Sequence, residues 1–171
     1  MDSIVYFQDN FFSAGRTDIF NESKVKVGEL DLKSMFSAGV EVVDLDGSVI
    51  SSGKFPFFGV KWKIYDSQGQ ELGALKQKLS FFSKKYEYHA EGRGYFYIKS
   101  EAFSKQYDVY QDETTIVAKF EKISGFFSSP AFQLTNHSDQ LSTEELIAVV
   151  MGVNAIQRRN SSNGAVNSTT I

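Results

Sequence analysis

Four short stretches hold residue types that do chemistry elsewhere. Asn136-His-Ser-Asp139 contains the members of a hydrolytic triad. Immediate neighbours in one loop do not reach the mutual geometry of nucleophile, base and orienting group, so the stretch reads as a polar connector. His89 follows Tyr86-Glu-Tyr88 with no cysteine or second histidine at ligand spacing, and reads as a satisfied or exposed side chain rather than a metal ligand. Asp44-Leu-Asp-Gly47 opens like a calcium loop. The twelfth position counted from Asp44 is Phe55, where such a loop needs a bidentate glutamate, so a turn is the better reading. Gly92-Arg-Gly94 is too short to cradle a phosphate and precedes no helix, which leaves a tight hairpin. No catalytic set, metal site or cofactor site emerges, and the chain reads as a non-enzyme without a cofactor.

The lysines carry the remaining chemistry. Lys76 and Lys78 alternate along one strand and so share a face about 7 Å apart. Lys84 and Lys85 follow the next aromatic phrase and bring up to four positive charges to one corner if the sheet closes. Two readings stay open: a solvated outer face, common for lysine on sheets, or an anionic ligand site made of Lys76, Lys78, Lys84 and Lys85.

The elements that would position these residues are legible. Ser142 followed three residues later by Glu145 is a capping box, in which hydroxyl and carboxylate each satisfy a backbone N–H of the first helical turn. From Leu146 to Ile156 only Asn154 is strongly polar. A helix with no wet face must be enclosed, and eleven residues span only about 16 Å, too short for a bilayer. Protein is the enclosure, and the helix is predicted over 142–159.

Upstream, one phrase returns six times at steps of 21 to 24 residues: Phe11-Phe-Ser13, Met35-Phe-Ser37, Phe57-Phe-Gly59, Phe81-Phe-Ser83, Ala102-Phe-Ser104 and Phe126-Phe-Ser128. Between phrases lie polar turns such as Asn21-Glu-Ser, Asp44-Leu-Asp-Gly47 and Asp66-Ser-Gln-Gly69. Each unit is strand, turn, strand, phrase, giving about twelve strands of ordinary length. Trp62 and Ile64 alternate with Lys61 and Lys63, and Val25, Val27, Leu30 and Leu32 read as another dry face. A long meander with one dry face closes to remove its edges, and twelve strands leave a lumen too wide for strand side chains to fill. The fold class is therefore mainly β: a closed antiparallel barrel wrapped around one central hydrophobic C-terminal helix. Residues 1–159 form this domain, and the polar stretch 160–171 is expected to be a disordered tail.

Composition bounds the partners. A net charge of −3 argues against nucleic acid. There is no cysteine, hence no disulfide or thiol chemistry. The start, Met-Asp-Ser-Ile-Val-Tyr, has neither a basic leader nor an apolar core, and a cytoplasmic monomer without a transmembrane segment is expected.

The Asp66-Ser-Gln-Gly-Gln-Glu-Leu-Gly-Ala-Leu-Lys-Gln-Lys-Leu-Ser-Phe-Phe-Ser83 unit, its weaker copies and Leu146-Ile-Ala-Val-Val-Met-Gly-Val resemble the tubby C-terminal-like superfamily, especially its LURP-one-related branch of small single domains. The resemblance covers residues ~1 to 159 as a matter of repeat architecture. It implies a twelve-stranded barrel around a C-terminal helix, in a superfamily that includes phosphoinositide-binding tubby domains and phospholipid scramblases. With no cysteine to lipidate and no membrane anchor, this chain departs from the scramblases. The resemblance implies, as the first functional reading, a binding or scaffold module for an anionic phospholipid headgroup, with Lys76, Lys78, Lys84 and Lys85 as the anionic-lipid-binding residues. A structural or protein-interaction module with the aromatic phrases as its rim is the second, and an enzyme with an unrecognised pocket the third.

Overall fold

The computed structural model describes residues 1–10, 12–13, 15–32, 39–79, 84–100 and 105–166. Among them twelve strands precede one helix: β1 (Ile4–Gln8), β2 (Gly15–Phe20), β3 (Lys26–Leu32), β4 (Gly39–Val43), β5 (Val49–Lys54), β6 (Trp62–Asp66), β7 (Glu71–Lys78), β8 (Lys84–Ala90), β9 (Gly94–Ser100), β10 (Tyr107–Tyr110), β11 (Ile116–Ile123), β12 (Ala131–Asn136) and α1 (Thr143–Val166). Each strand pairs antiparallel with the next, and β1 pairs with β12 from Ile4↔Thr135 to Gln8↔Ala131, closing the barrel. The sheet has no free edge.

An up-and-down meander sends its connections alternately to two ends. The polar turns gather at one, here the turn end. The strand ends that flank the aromatic phrases gather at the other, the aromatic end. The phrases around 35–37, 81–83 and 102–104 lie outside the described residues.

The turns repeat atom for atom. In Asn21–Val25, Asp44–Ser48 and Asp66–Gln70, the first residue accepts from the fourth N–H and donates to the fifth carbonyl, at 2.9 to 3.2 Å. Its side-chain Oδ1 also accepts the third and fifth N–H groups. The fourth residue is left-handed in all three: Lys24 at φ 60°, Gly47 at 81° and Gly69 at 79°. Beside each turn the register slips, between Ile19 and Phe20, Val42 and Val43, and Ile64 and Tyr65. This is the three-residue hairpin with a bulge, for which an Asx first residue and an αL fourth residue are the requirements. Val25, expected on a dry face with Val27, Leu30 and Leu32, is the fifth residue of the first turn and is 56% exposed.

Trp62 and Ile64 are buried, as their alternation with lysine predicts. So is nearly all of Leu146 to Val153. The helix is not centred in the lumen: its backbone approaches β4–β7 and β12. Glycines make this possible. A Cβ on Gly53 of β5 would lie 2.6 Å from Trp62 Nε1, and one on Gly152 of α1 would lie 2.4 Å from Trp62 Cδ1. The indole fills the space between them and donates to the Ala148 carbonyl at 3.1 Å. Elsewhere the lumen holds rings: Phe120 stacks on Phe132 at 5.2 Å and on Tyr107 at 5.9 Å, with Phe12 edge-on to both phenylalanines.

The helix starts as expected, with Ser142 Oγ accepting the Glu145 N–H at 3.2 Å. It ends later than expected. Helical structure runs on through 160–166, the first part of the stretch whose composition reads as a disordered tail, and 167–171 lie outside the described residues. Once a packed helix is nucleated each further residue adds a hydrogen bond, and Ser161 and Ser162 donate to the carbonyls of Gln157 and Arg158 one turn back. No helix among the described residues is long and apolar enough to cross a membrane.

Candidate functional site

Strand register decides which lysines meet. On β7 and β8 the partners are Lys76↔Glu87 and Lys78↔Lys85, and on β8 and β9 they are Lys85↔Lys99 and Glu87↔Tyr97. Tyr86 and Tyr88 point into the lumen and are buried, so Lys85 and Glu87 point outward. Lys76, Lys78, Lys85 and Lys99 therefore share the outer face. Lys84 has the parity of Tyr86 and pairs with buried Ser100. The expected set of four thus separates: three of its members lie together and Lys84 lies on the opposite side of the sheet. Lys99 joins them, and no signal along the chain would have found it, because its neighbour Lys85 is a cross-strand partner.

Glu87 organises this face. One oxygen takes Lys76 at 2.9 Å, the other Lys78 at 2.7 Å, and the carboxylate is 8% exposed. Hydrogen bonds from Lys76 and Lys78 hold its carboxyl below the ordinary range against the opposing effect of burial. The bond to Glu87 likewise raises the Lys78 ammonium. Lys99 Nζ sits 3.8 Å from the ring centroid of Tyr110, held by the negative face of the ring.

The turn end holds a second charged cluster, buried and of another character. Arg93 forks onto Glu145 at 2.7 and 2.9 Å and donates also to the carbonyls of Gln140 and Leu72. Tyr88 donates to the same carboxylate. Burial, and then the Glu145 charge, push the Tyr88 phenol far above its ordinary value, so it stays a donor. Gly92-Arg-Gly94 is a hairpin as expected, with both glycines left-handed. Its arginine closes the barrel over the helix N-terminus. The Ser142 half of the expected capping box is present, but the Glu145 carboxylate is taken by Arg93 and Tyr88, and with every arm of the fork satisfied the cluster is a structural seal.

The other motifs resolve locally. Asn136 and Ser138 bond the backbone of the β12–α1 connector, Asn136 to Leu141 O and Ser138 N–H, Ser138 to the N–H groups of 140 and 141. His89 stacks on Tyr95 at 4.6 Å on the outer face. Asp44 is spent on its own turn. No group of three or more His, Asp or Glu suited to a metal ion occurs among the described residues.

No curated protein matches the chain. A crystal structure of an Arabidopsis thaliana protein aligns with it at TM-score 0.59 over 88% of this chain and 90% of that one. At 13% sequence identity the likeness is one of fold. The family model described as LURP-one-related matches residues 4–151, from the first residue of β1 into the buried part of α1. The match spans the whole closed meander and the helix that fills it, and the chain belongs to the LURP-one-related family.

Proposed function

We propose that this domain is a non-catalytic binding module whose outer face over β7–β9 recognises an anionic, phosphorylated lipid headgroup on a cytoplasmic membrane surface. The observation that carries the reading is the row Lys78–Lys85–Lys99. Like charges placed directly opposite destabilise a sheet; Asp108 opposite Lys99 on β10 and Glu87 beside Lys78 offset part of this, and Lys85, between two lysines, is where an anion would relieve the rest. Their strands are about 4.8 Å apart and Lys76 stands about 7 Å behind, dimensions suited to one phosphorylated headgroup. Glu87 acts as a resident counter-ion that orients Lys76 and Lys78 while leaving the face positive. Binding is then modest and weakened by salt.

Two variants test this with opposite signs. Replacing Lys76, Lys78, Lys85 and Lys99 together by glutamine should abolish sedimentation with phosphoinositide-containing vesicles. Glu87→Gln should strengthen it at low salt. If the parent protein does not sediment, or the quadruple variant sediments equally, the headgroup reading fails.

A further inference from the structure

The most exposed apolar side chains gather at the aromatic end, with Leu45 at 65% and Val25 at 56% the next, at the turn end. Phe57, Phe58 and Val60 in the β5–β6 connection are 92%, 95% and 78% exposed, and Leu79, directly after Lys78, is fully exposed. Strands β5, β6 and β7 are neighbours, so these side chains project from adjoining parts of one rim. The aromatic phrase does not require this exposure. In its last copy Phe126 stacks on Tyr6 at 3.7 Å and Phe127 packs edge-on to Phe20 at 5.1 Å, both folded back on the wall.

The base of the projecting loop is anchored. Gly59 N–H donates to Pro56 O at 3.1 Å, Arg159 donates to Gly59 O at 3.1 Å, and the Arg159 guanidinium lies 4.7 Å from the Phe55 ring centroid. The emerging end of α1 thus holds the connection while its two phenylalanines point away. Cations surround them: Lys54 and Lys61 are exposed on either side, and the row Lys78–Lys85–Lys99 occupies the same end of the barrel. The opposite end is acidic at its turns, with Asp44, Asp46, Asp66, Glu91, Asp112 and Glu113.

We infer that the aromatic end is a membrane-inserting rim: Phe57, Phe58 and Leu79 enter the acyl boundary of an anionic bilayer while the surrounding lysines contact its headgroups. This rests on the headgroup reading above and adds the orientation, with the barrel axis steep to the surface and the acidic turn end repelled from it. A bilayer suits these features better than a protein groove does. An edge-to-face pair of phenylalanines, centroids 4.6 Å apart, ringed by lysines matches an apolar interior beneath a charged layer, and an apolar insertion joined to a basic patch is the two-part combination that makes peripheral binding stable.

The cysteine-free chain makes the test direct. Phe58→Cys and, at the turn end, Asp46→Cys are each labelled with a polarity-sensitive nitrobenzoxadiazole dye. Emission and sedimentation are followed with vesicles of phosphatidylcholine alone and with added phosphoinositide. On phosphoinositide vesicles the dye at 58 should shift to the blue and be quenched by nitroxide-bearing acyl chains, while the dye at 46 stays unchanged. Phe57→Ser/Phe58→Ser should weaken sedimentation roughly tenfold or more. Sedimentation without a shift at 58 overturns insertion and leaves the headgroup reading standing. A shift on phosphatidylcholine as strong as on phosphoinositide supports insertion and overturns the headgroup reading; no sedimentation overturns both. A shift that grows with protein concentration without vesicles makes the rim a self-association surface and overturns the inference.

Discussion

The two ends of the barrel are alternate connections of one meander, and they spend their residues in opposite ways. At the turn end polar side chains are consumed internally. Asx oxygens cap the hairpins, and the Arg93–Glu145 fork closes the lumen. At the aromatic end Phe57, Phe58 and Leu79 stand in solvent beside lysines in like-charged register. The turn end spends its Asx oxygens and its arginine on the fold, whereas the aromatic end holds the most exposed apolar side chains beside a row of lysines. Folding alone accounts for the first arrangement. The second is the arrangement on which the proposed ligand surface rests.

The contrast is tested most severely by opening the sealed end. Arg93→Met leaves the Glu145 carboxylate, 2% exposed, without its partner, and loss of one member of a buried pair costs about 3–5 kcal/mol. Arg93→Met/Glu145→Met should recover most of that, since an apolar replacement of both members is often near neutral. Thermal melts of the three proteins give the result. A single variant as stable as the parent would remove the distinction between the ends.

Next in size is the helix–wall contact between them. In an open helix Gly→Ala is stabilising by about 1 kcal/mol. At Gly152 the new methyl would sit 2.4 Å from the Trp62 ring, and overpacking of this kind costs about 1–3 kcal/mol. Gly152→Ala should therefore lower the melting temperature and alter the fluorescence of the single tryptophan. A rise in melting temperature would show that the helix does not lie against β5 and β6 as closely as described.

The outer lysine face should show itself in acid. The Glu87 carboxyl lies below its ordinary 4.5 in the folded protein. The stability it contributes is thus complete above that value and lost as the pH falls through the lower folded value. As the pH falls from neutral to below 4.5 the parent should lose more stability than Glu87→Gln, by an amount smaller than either core effect because both lysines are nearly half exposed. Identical acid profiles would mean that Glu87 does not organise the face.

The smallest effect tests the repeat itself. Lys24 occupies the left-handed position that Gly47 and Gly69 hold in the equivalent turns. Relief of αL strain, about 1 kcal/mol or somewhat more, is partly offset by the greater chain entropy of glycine, so Lys24→Gly should stabilise by about 0.5 kcal/mol. A loss of stability in a denaturant melt would break the equivalence of the hairpins.

The elements were legible in the chain because their causes are local. Alternation placed Trp62 and Ile64 inside and Lys63 outside, Asx and glycine residues marked the hairpins, and Ser142 with Glu145 marked the helix start. The unbroken apolar run after it required enclosure, and strand number with edge avoidance then required a closed barrel. The site depended on pairings that local pattern does not contain. Alternation alone already separates Lys84 from Lys85, since adjacent strand residues face opposite ways. Lys99 reached Lys85 only through the β8–β9 register, and Arg93 met Glu145 only when closure brought the β8–β9 hairpin over the helix N-terminus. The eccentric helix needed the fit of Gly53 and Trp62 on neighbouring strands against Gly152, about ninety residues further along the chain, whose contacts exist only at one depth of the helix in the lumen. Backbone hydrogen bonding and side-chain period act over a few residues, so sequence determined strands, turns, helix and barrel; charge juxtaposition and close packing act through space between distant segments, so only the tertiary structure decided which lysines share a face, what seals one end and what the other leaves exposed.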